Sequence, residues 1–176
     1  MLLLEGDDFD DLLRSAREEA FHLEVKDTYN TPNESQPFHN FLNGGPADDY
    51  AWLQDWLDLV ADTSSRGIAI RRARVVTVPH TDYTRWLLDV SHQNTAAGED
   101  IRYLPRYLTD PDKLTSDDWW LFDRESVAFT IFEPGGQWRG GAFTTDPRIV
   151  AYCCDVRDLV WDAATPHADY VTNDAQ

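Results

Sequence analysis

The sequence predicts an α+β (or α/β) fold: a mixed central sheet with a C-terminal antiparallel meander, flanked by N-terminal, central and C-terminal helices. Three observations support it: helical apolar spacing at both ends, a β-branched run in the middle, and short apolar segments separated by turns near the C-terminus. With 176 residues, 42% of them hydrophobic, the chain can bury a core as one domain. We expect that domain over 1–165 and a flexible tail over 166–176.

Helices are predicted at four places along the chain. Acidic residues at 7–11 lie at the start of an apolar pattern with helical spacing, where negative charge favours a helix N-terminus. A short helical turn at 38–42 ends before a Gly-Gly-Pro sequence, and a longer helix is expected over 47–65. The last helix begins at Asp146-Pro147 and continues to about residue 164.

Strands are predicted at 21–25, which alternates apolar and polar residues, at 68–78, which is β-branched, and at 101–104. Residues 83–92 fit either a helix or a strand, and 94–100 is expected to be a turn because its residues are small and polar.

Three further strands form the predicted meander, at 116–122, 126–132 and 137–143. Short turn sequences at 123–125 and 133–136 join them, which is typical of antiparallel hairpins.

The composition is strongly acidic, with 15 basic against 32 acidic residues and a formal charge of −17. Such a surface repels phosphate backbones and anionic lipid heads, which argues against direct binding of nucleic acid or membranes. It attracts a basic protein surface. Solubility alone explains the charge equally well at this point.

The protein is expected to be cytoplasmic. Its N-terminus has three leucines and no basic region, so it does not resemble a signal peptide, and no apolar run is long enough to span a membrane. Cys153 and Cys154 are adjacent, a spacing that rarely forms a disulfide, and we expect buried, reduced thiols. A vicinal dithiol sensor is the alternative.

No motif predicts a catalytic residue, a metal or a cofactor. The five histidines lack metal-ligand spacing, no glycine-rich phosphate loop is present, and no serine lies at a nucleophile elbow. His80, His92 and Asp82 could in principle perform acid–base chemistry, although surface loop residues are the favoured interpretation.

Asp117, Asp118 and Asp123 flank an aromatic strand segment. Three carboxylates of this kind could bind a divalent cation. They could also keep the edge of a hairpin polar, which is the commoner role of such residues and the one we favour.

The arginine-rich middle of the chain is the strongest candidate for a site, because six arginines within residues 71–106 reverse the local sign of the charge. These arginines either pair with carboxylates in an internal network that fixes strand register, which is favoured, or line a groove for an acidic ligand. The candidate groove comprises Arg72, Arg74, Tyr83, Arg85, Glu99, Asp100, Arg102, Trp119 and Asp123.

Several segments together resemble one known family. In order they are 20–24 (AFHLE), 29 (Y), 72–76 (RARVV), 79 (P), 82–83 (DY), 97–102 (AGEDIR) and 119–123 (WWLFD). They resemble DUF6879, an actinobacterial family of domains of unknown function, over about residues 9–165. The resemblance implies no catalytic residue. It does imply a genomic context, since such members in streptomycetes are often encoded beside helix-turn-helix regulators.

A weaker resemblance, carried by the order of the strands and the terminal helix, is to one half of phospholipase-D-like sensor domains. The His-x-Lys-(x)n-Asp signature of that superfamily is missing, since the chain has only Lys26 and Lys113 as lysines. The resemblance therefore implies a non-catalytic relative.

Two functions follow as hypotheses. The first is a non-enzymatic acidic regulatory protein that binds a basic protein partner, such as a helix-turn-helix regulator encoded nearby; a toxin or immunity component belongs with this hypothesis. The alternative is a small-molecule-binding or hydrolytic domain that uses the arginine-rich groove.

Overall fold

The protein folds around one mixed sheet, seen in a computed structural model that describes residues 2–5 and 8–174. The strands are β1 Leu2–Leu4, β2 Glu19–Glu24, β3 Ala69–Val76, β4 Glu99–Pro105, β5 Trp119–Phe122, β6 Ser126–Phe132, β7 Trp138–Thr144 and β8 Thr165–Pro166. Their order across the sheet is β1-β7-β6-β5-β2-β3-β4-β8.

Helices lie on both faces of this sheet. They are α1 Asp8–Ser15, α2 Ser35–Leu42, α3 Gln54–Ser65, α4 Asp82–Ala97, α5 Pro147–Ala163 and α6 His167–Asp174. Short 3₁₀ segments precede α2 and α3, at Pro32–Glu34 and Ala51–Leu53. The predicted class, a mixed sheet flanked by helices, is confirmed.

Two pairing modes meet at β2. Strands β2, β3 and β4 are parallel, and β2 pairs antiparallel with β5. From β5 the chain continues through β6 to β7 as antiparallel neighbours, which confirms the predicted meander. Because β2 lies between the antiparallel and the parallel strands, its side chains lie near the middle of the sheet on both faces.

Alternation along the strands gives the two faces different chemistry. The face under α5 is apolar at its centre: Phe21, Leu23 and Val75 pack there against Val156 and Trp161. The other face, covered by α1, α3, α4 and α6, carries aliphatic and aromatic groups at its ends. At its centre it carries charged side chains.

The segment at 83–100 differs from the prediction. Residues 83–92 are helical, and α4 continues to Ala97 through most of the predicted turn. The Thr81 hydroxyl caps the helix by accepting from the Thr84 N–H at 3.1 Å. The helix ends at Gly98, whose φ of 112° favours glycine and whose added Cβ would lie 2.6 Å from the Ser64 hydroxyl.

The predicted flexible tail is wrong for its described part. Residues Thr165 and Pro166 pair with β4, and the next eight residues form α6. Tertiary contacts explain the helix: His167 and Tyr170 are buried, and the Tyr170 ring stacks on Tyr103 with centroids 5.0 Å apart. Residues 175–176 of the predicted tail lie outside the described residues.

The N-terminus also differs from a simple helix start. Leu2–Leu4 forms the edge strand β1, which pairs antiparallel with β7 and was not predicted. The predicted helix follows as α1, and Asp7, assigned to its acidic start, lies outside the described residues. No helix among residues 2–5 and 8–174 is long and apolar enough to cross a membrane.

Replacing Tyr170 by Ala tests the role of α6. Tyr170 is 9% exposed and stacks on the core residue Tyr103, so its loss should lower the free energy of unfolding by about 3 kcal/mol. Urea denaturation measures the change. Tyr152→Ala is the matched control, because Tyr152 is 46% exposed, and it should remain close to wild type. Equal stabilities for the two variants would show that α6 is not part of the core.

Candidate functional site

The arginines at the centre of the predicted groove lie inside the protein. Arg72 ion-pairs with Glu24 and donates from Nε to Glu99 Oε1 at 2.6 Å. Arg74 donates from Nε to Glu24 Oε2 at 2.6 Å, and its Nη1 donates to the Tyr103 hydroxyl at 2.9 Å. The Arg72 and Arg74 side chains are 11% and 8% exposed. We call Glu24, Arg72, Arg74 and Glu99 the buried ion network.

Strand register builds this network. In the parallel pair of β2 and β3, His22 is opposite Arg72 and Glu24 is opposite Arg74. Positions two apart share a face, so all four side chains point toward α4. Glu99 enters from the first residue of β4, and its Oε2 accepts from the Asn94 amide of α4 at 2.8 Å.

Charge balance makes the burial tolerable. Burial alone would raise the pKa of Glu24, but the guanidiniums of Arg74 and Arg72 outweigh it and hold that pKa well below its usual range. The network therefore carries two positive and two negative charges. Any one of these charges, if it were buried without its partner, would strongly destabilise the folded protein.

His22 lies beside the network as a neutral ring. Burial, followed by the positive charge of Arg72, lowers the pKa of His22 to about 3. The ring stacks on Trp120 with centroids 4.2 Å apart, and the Arg72 guanidinium lies 5.8 Å from the same indole. The arrangement is one of packing, and His22 does not become a cation near neutral pH.

Other residues of the predicted groove are separated from this centre. Arg85 is exposed and ion-pairs with Asp82 one turn away on α4. Asp100 pairs with Arg102 at 3.6 Å on the opposite face of the sheet. There the Arg102 guanidinium lies 4.0 Å from the centroid of the Trp161 ring.

The remaining three predicted groove residues have structural contacts of their own. Tyr83 is buried at the start of α4 and its hydroxyl donates to Glu34. Trp119 is fully buried in the apolar core under α5. Asp123 lies in the β5–β6 turn, where it accepts backbone N–H groups of residues 17–19 at 2.8–3.1 Å. The structure thus brings together Arg72, Arg74 and Glu99 from the predicted set.

Glu24 links those three residues, and the sequence reasoning missed it. Its signal in the sequence is weak, because a carboxylate that alternates with apolar residues in a strand ordinarily faces solvent, and only burial makes a cation necessary. The sequence does not show which arginines pair with it, since Arg72 and Arg74 are about fifty positions away.

Asp118 forms a second buried polar contact at the carboxyl end of β2. Its Oδ1 accepts the Val25 N–H at 2.8 Å and its Oδ2 accepts the Tyr29 hydroxyl at 2.6 Å. Burial raises the pKa of Asp118 to about 6 in spite of these bonds. Asp117 points to the surface near Lys26 and Asp123 lies at the other end of β5, so the three aspartates do not converge.

The candidate acid–base residues His80, His92 and Asp82 each contact different groups. The His80 ring lies 3.0 Å from the Tyr170 hydroxyl, whereas the His92 ring packs against His167. Asp82 is engaged by Arg85. Within residues 2–5 and 8–174, no group of three or more His, Cys, Asp or Glu side chains could hold a metal ion.

The adjacent cysteines are free thiols on α5. Cys153 is fully buried, and burial raises its pKa to about 12. Burial also raises the pKa of Cys154, although the Arg124 charge opposes it. Thiolate is the reactive form, so both side chains are held in the unreactive one near neutral pH.

A surface cleft of about 430 Å³ between α1 and α3 is lined mainly by acidic side chains. Asp55, Asp58 and Asp62 lie on one face of α3 at helical spacing, and Asp10 faces them from α1. Arg14 is the cation in the cleft lining, and it already pairs with Asp10 and Asp11. We call this feature the acidic cleft.

The chain matches one family model and is similar in fold to a number of solved structures. The family described as "Domain of unknown function (DUF6879)" matches residues 7–172. No curated protein is similar enough to the chain to match. Among solved structures, the archaeal chromatin protein TrmBL2, whose structure is described as showing a novel mode of DNA binding, has a TM-score of 0.53 at 12% identity.

The likeness to TrmBL2 covers 94% of this chain but 52% of that one, so the chain spans about half its length. NucT from Helicobacter pylori has a TM-score of 0.54 at 11% identity, covering 94% of this chain and 96% of NucT. At these identities the likeness shows the fold alone, and a shared fold does not determine function.

Removing one member of the buried ion network should be strongly destabilising. Glu24→Gln leaves Arg72 and Arg74 with one carboxylate between them, and we expect a loss of about 3–5 kcal/mol in the free energy of unfolding. Urea denaturation measures the change. Glu125→Gln, which breaks an exposed ion pair with Arg17, serves as the control and should stay near wild type. A Glu24→Gln protein as stable as the control would contradict the network.

Asp118 should leave a signature in the pH dependence of stability. With its pKa raised from 3.8 to about 6, the folded state retains a proton that the unfolded chain has lost. The contribution of Asp118 to the free energy of unfolding therefore falls as pH rises through this window. The stability of wild type relative to Asp118→Asn should decline by about 2–3 kcal/mol from pH 4 to pH 7. A difference that stays constant with pH would count against the buried, protonated carboxyl.

Proposed function

We propose, from the premise that the chain belongs to the DUF6879 family, that it is a non-enzymatic acidic protein that regulates a basic protein partner by binding it. The observation that carries the proposal is the direction in which its charges face. Arg72 and Arg74 of the candidate groove are turned inward, and the carboxylates of the acidic cleft are turned outward.

Burial and internal pairing remove Arg72 and Arg74 as a recognition surface. Every arginine forms at least one ion pair with a carboxylate of the same chain; they are Arg14, Arg17, Arg66, Arg71, Arg72, Arg74, Arg85, Arg102, Arg106, Arg124, Arg139, Arg148 and Arg157. The alternative of a small-molecule or hydrolytic site needed open arginines at positions 72 and 74. Both are enclosed, so the proposal does not use them.

The acidic cleft supplies a surface of suitable charge. Asp55, Asp58 and Asp62 are exposed, and carboxylates grouped on one helix face attract a cationic partner over a Debye length of about 8–10 Å. Complementary charge of this kind mainly increases the rate of association and selects the partner. The same surface repels phosphate, so we propose no direct contact with nucleic acid.

A helix-turn-helix regulator is the partner we propose. The resemblance to actinobacterial family members implies such a regulator in the gene neighbourhood, and a DNA-binding protein presents basic side chains for phosphate. Asp55, Asp58 and Asp62, at positions i, i+3 and i+7 of α3, would present a row of negative charge to those basic side chains in place of the DNA phosphates. Binding there would compete with DNA.

Direct binding tests this proposal. The purified regulator should bind in 50 mM NaCl, and its Kd should rise at least tenfold by 300 mM NaCl. Neutralising the acidic cleft with Asp55→Asn, Asp58→Asn and Asp62→Asn should weaken binding by about tenfold, as measured by isothermal titration calorimetry.

A control with the same change in net charge separates the cleft from overall acidity. It carries Asp155→Asn, Asp162→Asn and Asp169→Asn, all exposed on α5 and α6. This variant should bind like wild type apart from a small general loss. Equal weakening by both triple variants, or no binding in 50 mM NaCl, would refute a partner site at the cleft.

A further inference from the structure

A cavity of about 340 Å³ lies between the segment after β2 and the helices α2 and α4. The rings of Tyr29, Phe38 and Tyr83 line it, together with the His39 imidazole and one carboxylate, that of Glu34. It shares no lining residue with the acidic cleft. We call it the aromatic cavity; Tyr83 is the member of the predicted groove that lines it, and the proposed function does not account for it.

The rings form a connected wall. Tyr29 and Tyr83 have centroids 5.9 Å apart with planes at 56°, and Phe38 meets Tyr83 edge-on at 5.4 Å and 81°. Ring faces are electronegative and attract cations, most strongly where water is excluded.

Glu34 supplies the charge of the cavity. Its Oε2 accepts the Tyr83 hydroxyl, and among the described residues that hydroxyl is the one protein group that donates to this carboxylate. Burial raises the pKa of Glu34, an effect that the Tyr83 hydrogen bond opposes. The carboxylate is therefore partly desolvated without a cation in contact.

The nearby buried ion network does not supply that cation. Arg72 and Arg74 are engaged by Glu24 and Glu99, which balance their charge. The neutral network leaves Glu34 as the charged group that an entering ligand meets in this cavity. A ligand of opposite sign would recover electrostatic energy that the protein alone does not provide.

We propose that the aromatic cavity binds a small organic cation with an alkylated ammonium centre, whose charge lies against Glu34 and whose alkyl groups contact Tyr29 and Phe38. A strongly hydrated metal cation would gain little from ring edges and one carboxylate, and an anion would be repelled. Aromatic walls with a single carboxylate suit a large, weakly hydrated cation that has both charge and apolar surface.

Choline and its neutral isostere 3,3-dimethylbutan-1-ol test the proposal on the wild-type protein. The two probes have nearly the same shape, so a difference between them measures the contribution of the charge. NMR chemical-shift titration should show saturable binding of choline and at least tenfold weaker binding of the isostere. Failure of both probes to bind, or equal binding of both, would overturn the proposal.

Two variants locate the site. Glu34→Gln should weaken choline binding at least tenfold, and Phe38→Leu, which keeps the charge and removes a ring, should weaken it severalfold. Glu125→Gln is the control, since Glu125 is exposed and lies outside the cavity lining. Circular dichroism checks folding of each variant. If Glu34→Gln does not fold, Phe38→Leu and the probe comparison still decide; wild-type affinity in a folded Glu34→Gln would overturn the proposal.

Discussion

The buried ion network is the interaction on which the arrangement of this fold depends. Its four charges come from β2, β3 and β4, and its neutral partners Ser91 and Asn94 come from α4. Each charge is costly unless every partner is in place, so the network tolerates few alternative positions of these elements. A shift of β3 by one residue would turn Arg72 and Arg74 toward the apolar core under α5. The network therefore defines one register among several that hydrophobic burial alone would accept.

The same interaction determines how the molecule presents charge to its surroundings. Glutamates that could have added to the acidic surface are withdrawn to balance Arg72 and Arg74, yet the overall charge remains −17 because the surface aspartates greatly outnumber the exposed cations. In the proposed function, attraction to a partner comes from exposed features such as the acidic cleft. That function would then depend on a different set of ionisable groups from those that stabilise the core, so surface carboxylates can be changed without disturbing the core.

Local sequence signals were sufficient for much of the fold. The meander, α5 and β3 follow from apolar periodicity and turn residues, which act within a few positions of the chain. The same local signals did not predict the elements whose formation depends on long-range contacts. Helix α6 is eight residues long and holds its place because His167 and Tyr170 contact α4 and β4. Strand β1, which is three residues long, forms because it pairs antiparallel with β7.

The predicted groove was likewise limited by contacts that local sequence signals do not show. Alternation along β3 already separates Arg71 from Arg72 and Arg74, and alternation along β4 separates Glu99 from Asp100 and Arg102. The predicted groove grouped these residues because they are close in sequence. It therefore combined side chains that lie on opposite faces of the sheet. Which face is open to solvent depends on α4 and on the aromatic residues of 29–53 that pack against it.

Those aromatic residues also explain why a ligand site would lie where the aromatic cavity does. A cover over a buried ion network has to exclude water from the charges, and large rings do so with few residues. At the margin of that cover the rings become accessible while Glu34 is still partly shielded from solvent. A cation at this margin is attracted by the Glu34 carboxylate in surroundings of reduced dielectric. It can bind there without disturbing the buried ion network. The requirement that protects Arg72 and Arg74 thus also creates, at its edge, the conditions for binding an organic cation.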